Sequence, residues 1–264
     1  MNRLQRQLQR LYVPQADARP DLDLDARGLV DAQGRVRAMV LELARPADWA
    51  ALSAVWGGVQ ADLALPAPAI AVNGSDGFQL WFSLLQPVLA TQAGAFLDAL
   101  RRRYLGDIAP ARVALLPARA TSSAGPPLHA RPVPALQADS GRWSVFVASD
   151  LVPMFADEPW LDIPPNPDGQ AQLLAPLKSI TPAEFESVLK QLRSAAVSAA
   201  VPVAVPAAVQ DAHGLASNAA AQTAASSDPR RFLLEVMNNQ SLDLALRIEA
   251  AKALLPGSDA ARGQ

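Results

Sequence analysis

The chain has 264 residues and 27.9 kDa, half of them hydrophobic and 18% charged, which supplies a core for one ordinary domain with a small appendage and excludes wholesale disorder. Its 23 basic and 25 acidic side chains leave a net charge of -2 and a pI near 5.7, so no overall basic field draws it onto nucleic acid and any such binding must be local. Cysteine is absent and the only histidines are His129 and His213, which excludes disulfides, thiolate metal sites, cysteine nucleophiles and a multi-histidine metal centre.

With 53 Ala and 23 Pro against 14 Gly, the mean hydropathy of +0.10 overstates the bulky core material. The basic N-terminus lacks the apolar run of a signal peptide, and no stretch of about 18 apolar residues follows, so a cytoplasmic protein with no membrane partner is expected.

In chain order, Leu4, Leu8 and Leu11 recur at helical spacing beside Arg3, Arg6 and Arg10, predicting a short amphipathic helix over 2–12 that docks on the body. Asp21-Leu22-Asp23-Leu24-Asp25 alternates with period two, which suits an edge strand; its three carboxylates are also a candidate hold for a hard cation. Leu29-Val30, the turn at Gly34 and Val36–Leu43 read as a hairpin whose second arm is a central strand. Asp48 caps a predicted helix with Trp49, Leu52, Val55 and Trp56 on its core face.

Ala69–Val72, the turn Asn73-Gly74-Ser75-Asp76-Gly77 and Phe78–Leu85 read as strand, turn, strand. Pro87 ends that strand, and a helix is predicted from about Thr91 to Tyr104 with Arg101, Arg102 and Arg103 at its negative pole. Val113–Leu116 and Trp143–Ala148 are further strands, the stretch 117–140 an exposed Pro/Ser/Gly-rich connection, and Trp160–Gly169 a rigid loop. Thr181-Pro182-Ala183-Glu184 combines a cap, an N1 proline and an N3 glutamate, a strong helix start.

From 194 to 227 the chain is Ala/Val/Pro/Ser repetition with Asp211 as its one formal charge, and is read as a disordered linker. Asp228-Pro229 and the stripe Leu244, Ile248, Ala251, Leu255 predict a helical hairpin over 228–256, too small to stand alone and so expected to dock on a protein partner. The expected fold is α+β, a small mixed or antiparallel sheet with flanking helices over 1–193, then linker and hairpin.

The block from about 36 to 118 resembles the catalytic core of the archaeo-eukaryotic primase superfamily. That family has a strand bearing an Asp-x-Asp pair, a helix, then a strand, a Ser/Gly-rich turn and a strand reading His-x-Trp or His-x-Tyr. Val40-Leu41-Glu42-Leu43-Ala44 stands at the first acidic strand, and Asn73, Gly74, Gly77 and Gln79-Leu80-Trp81-Phe82 stand at the turn and nucleotide-binding strand. Nucleotidyl transfer needs clustered carboxylates for two divalent cations. Here Ala44 replaces the second Asp and Gln79 the His, and the strand after Arg112 brings no third carboxylate.

The resemblance implies a catalytically degenerate primase-like protein of a phage, plasmid or bacterial replication context. It would bind single-stranded DNA or a replication protein, with Glu42 as the one remaining catalytic-position residue. Asn73, Gly74, Gly77, Gln79, Trp81, Arg101, Arg102, Arg103, Arg112 and Arg119 are its candidate nucleic-acid-binding residues. No cofactor is expected; magnesium or manganese enters only in the alternative of an active nucleotidyltransferase, and the metal ligands are unassigned. A further alternative is an interaction or scaffold protein with no nucleic-acid role, in which Trp49, Trp56 and Trp81 are core. Residues 228–256 also resemble a helical segment of phage small-terminase-like proteins, which implies a mobile-element setting.

Overall fold

The ten residues of β1 (Arg35–Ala44) are apolar on both faces except at Arg35, Arg37 and Glu42, and a strand of that kind is stable only where both faces are covered. The computed structural model describes residues 1–14, 29–118 and 128–200, with side chains to Ser194. In it β1 lies second from one edge of a six-stranded sheet. The other strands are β2 (Ala69–Val72), β3 (Gly77–Leu89), β4 (Val113–Leu116), β5 (Ala135–Leu136) and β6 (Trp143–Val147). The spatial order is β4-β1-β3-β2-β6-β5 and every pairing is antiparallel. Among the described residues the architecture is α+β, as the sequence implies.

One face carries Met39, Leu41, Leu43, Phe78, Leu80, Phe82, Ile70, Val72 and Val145, packed under three helices. These are α2 (Trp49–Ala61), α3 (Ala90–Tyr104) and α5 (Pro182–Ala200), the chain's fifth and last described helix. Asp48 caps α2 through the Ala51 amide, and Thr181 and Glu184 close a reciprocal cap on α5. The other face carries Ala38, Val40, Ala69, Ala71, Trp81 and Phe146. Among the described residues two helices pack on it, α1 (Arg3–Tyr12) and α4 (Pro167–Leu174). α1 docks through Leu4, Leu8, Leu11 and Tyr12, and its start is fixed by a capping box of Asn2 and Gln5.

Three expectations need correction. β3 does not stop at Pro87: it runs to Leu89 and passes directly into α3 at Ala90, one residue before the expected cap. The register jumps there, with Val36 opposite Val88 but Ala38 opposite Ser83, so the proline sits in a bulge where no ladder N–H is required. The connection 117–140 contains β5, and Trp160–Gly169 is not all loop. Leu161 bridges Trp143, and α4 begins at Pro167 on an Asn166 cap. α5 is described as far as Ala200. The remaining linker, the hairpin 228–256 and the carboxylates Asp21, Asp23 and Asp25 lie outside the described residues.

Two glycines of the β2–β3 turn are demanded by geometry. Gly74 has φ +82°, and a Cβ on Gly77 would lie 2.7 Å from Ala44 Cβ and 2.8 Å from the Leu43 carbonyl. The turn therefore sits hard against the end of β1, beside Glu42.

Candidate functional site

Glu42 and Gln79 are direct cross-strand partners on β1 and β3, on the face shared with Val40 and Trp81. Gln79 Nε2 donates to Glu42 Oε2 at 2.6 Å, and Asn73 Nδ2 donates to Glu42 Oε1 at 3.2 Å. The orientation of both amides is chemically determined. The Trp81 indole nitrogen can only donate, and it points at Gln79 Oε1 at 2.8 Å, which leaves the NH2 end for Glu42. Asn73 Oδ1 accepts from the backbone amides of Ser75, Asp76 and Gly77 at 2.9–3.0 Å, so its NH2 also turns to Glu42 and, at 3.2 Å, to Asp76 Oδ1.

A cavity of about 320 Å³ opens over this cluster. Glu42, Asn73 and Gln79 line it together with Ala114 and Leu116 of β4, with His129, Arg131 and Val133 from the connection to β5, and with Gln137 just beyond β5. His129 Nε2 donates to the Ala38 carbonyl at 3.2 Å, and its Nδ1 is buried without a partner. Burial holds the imidazole below its usual pKa of 6.5, against the raising effect of backbone contacts at Ala38 and Ala130. Ala38 and Glu42 are four residues apart on one strand, about 13 Å along its length.

Arg131 Nη1 donates to Gln137 Oε1 at 3.1 Å, and Gln137 Nε2 in turn donates to the Asn73 carbonyl at 3.1 Å. Among the described residues no carboxylate lies within ion-pair distance of Arg131. Outside the cavity, the Asn73–Gly77 turn is pinned by the Gly74 amide donating to the Pro159 carbonyl at 3.1 Å. The neighbouring Trp160 stacks under the Arg142 guanidinium at 3.7 Å.

The structure thus brings Glu42, Asn73, Gly74, Gly77 and Gln79 into one place. Trp81 is 2% exposed and packs against Tyr12 and Phe146, so its contribution is the N–H that orients Gln79. Arg101, Arg102 and Arg103 lie on the far side of the sheet at the end of α3; the first two pair with Asp98 and the third with Asp62. Arg112 pairs with Asp48 at 3.7 Å and donates to the Pro46 carbonyl. Arg119 lies outside the described residues.

His129, Arg131, Gln137 and Asp76 were not singled out by sequence reasoning as site residues. The first three arrive on a Pro-rich segment with no periodicity. Asp76 had a signal, its place in the turn facing the acidic strand.

A two-cation centre, which the primase resemblance would supply, does not fit this donor set. Glu42 and Asp76 share one amide, both oxygens of Glu42 already face N–H groups, and among the described residues no three metal-ligating side chains converge. No helix among the described residues is long and apolar enough to cross a membrane. A scan against protein-family models finds no match to the chain, and no curated protein matches it significantly in sequence.

Proposed function

We propose that the chain is a primase-like protein that binds single-stranded nucleic acid in the groove between Glu42 and Arg131 and has given up nucleotidyl transfer. The observation that supports this best is the cluster itself. The residues standing at the family's acidic and histidine positions, Glu42 and Gln79, lie side by side in an open cavity, but they are bonded to each other through an N–H donor. That arrangement preserves a recognition groove while removing the cation site. Among the described lining residues, Arg131 supplies the positive charge that a phosphate would meet.

The reading is tested by fluorescence anisotropy with a labelled single-stranded oligonucleotide across a salt series. Binding at low salt that weakens as salt rises, and weakens further in Arg131→Ala, is expected. No binding at low salt supports instead a scaffold protein without a nucleic-acid role, a reading favoured by the exposed acidic side chains of Asp157, Glu158 and Asp162 near the turn.

A further inference from the structure

We infer that the cavity at Glu42 selects guanine; this rests on the nucleic-acid reading above. A carboxylate offers about four lone-pair sites. The amides of Gln79 and Asn73 take one on each oxygen of Glu42, leaving each oxygen a further acceptor position in the cavity that these three side chains line. Because Trp81 and the turn amides fix both NH2 groups, reversing the cluster would break the buried Trp81–Gln79 hydrogen bond and the three turn amides' bonds to Asn73. Within this cavity Glu42 therefore presents two adjacent acceptor oxygens in a fixed orientation, beside the second N–H of Gln79 Nε2.

A planar ligand with two adjacent N–H donors matches it. Among the bases only guanine presents such a pair, N1–H and N2–H, on its Watson–Crick edge; adenine and cytosine offer one donor beside an acceptor that would face the carboxylate. A guanidinium carries the same donor pair, but its charge would be held in a cavity already walled by Arg131, which meets no carboxylate among the described residues, and this favours an anionic ligand. A cavity of about 320 Å³ is on the scale of one nucleotide.

The test uses the full chain and short thymidine oligonucleotides carrying one central guanine, hypoxanthine or adenine. Guanine is expected to bind about tenfold more tightly than adenine, with hypoxanthine, which lacks the N2 donor, between them. Glu42→Gln should bring the three together while thermal unfolding confirms that the variant is folded. Equal affinity of the wild type for all three bases, with the salt dependence intact, overturns guanine selectivity and leaves the nucleic-acid reading standing. Absence of binding to any of them at low salt overturns both. Capture of an acetylated arginine peptide with no discrimination among the bases overturns the inference in favour of a guanidinium ligand.

Discussion

Trp81 is almost wholly buried, yet its single N–H decides which end of Gln79 meets Glu42. Trp81→Phe keeps a ring against Tyr12 and Phe146 but removes that donor, so Gln79 Oε1 loses its partner and the amide is free to turn. The variant is expected to lose about 1–3 kcal/mol in chemical denaturation, with a several-fold smaller preference for the guanine oligonucleotide. An unchanged stability would mean that the indole N–H is not holding the amide.

In the same cavity His129 makes a pH-dependent contribution. Its folded pKa lies below the unfolded value near 6.5, so the unfolded chain takes up the proton first as pH falls. The stabilisation is complete above that value and is lost as pH drops through the window beneath it. A denaturation series descending from neutral pH should show this loss in the wild type and a flatter profile in His129→Gln. Identical slopes would remove the histidine from the account.

At the scale of elements, two arginines fasten the half-covered face. Arg37, 3% exposed, donates to the carbonyls of Leu84, Val13 and Arg10, two of which end α1. Arg10 in turn donates to the carbonyls of Leu174, Ala175 and Leu177 at the end of α4. Each guanidinium thus satisfies helix-terminal acceptors and meets the negative pole of a helix. Burial, with the nearby charge of Arg10, holds Arg37 below the usual arginine range. Arg37→Met should cost about 2–4 kcal/mol in urea unfolding, because three buried carbonyls lose their donor.

Gly77→Ala should cost about 1–3 kcal/mol, since the added methyl meets backbone and Ala44 of β1, which cannot step aside without moving Glu42.

Much of this layer was legible from sequence wherever a local signal specified an element. Asp48 and Thr181-Pro182-Ala183-Glu184 announced their helices, and Asn73-Gly74 with Gly77 announced the hairpin. Asn166-Pro167 carried the same cap-plus-proline signal and was masked by the surrounding prolines and acids. β5 is two residues long and has no period to read. In the site, Glu42, Asn73 and Gln79 were visible because strand pairing puts them on neighbouring positions. His129, Arg131 and Gln137 were not, because only tertiary packing of a Pro-rich segment brings them over β4. The direction of the two amides depends on three-dimensional partners and could not be read from any motif.

Across the described residues, one sheet face is sealed by three helices and the other is shared between two helices and the cavity. Charge is arranged unevenly around that opening. Arg131 stands on the wall and Asp157, Glu158 and Asp162 lie beyond the turn, so under the proposed nucleic-acid reading a phosphate would enter from the Arg131 side. Because the acceptor surface at Glu42 is built from N–H-bonded oxygens, ligand capture should not depend on a divalent cation. The decisive measurement is the affinity of the full chain for a guanine-containing single strand in chelator and in magnesium, with primer extension from nucleoside triphosphates followed in the same samples. Equal affinity in both, reduced by Glu42→Ala and with no extension product, is the expected result; magnesium-dependent extension abolished by Glu42→Ala would contradict it.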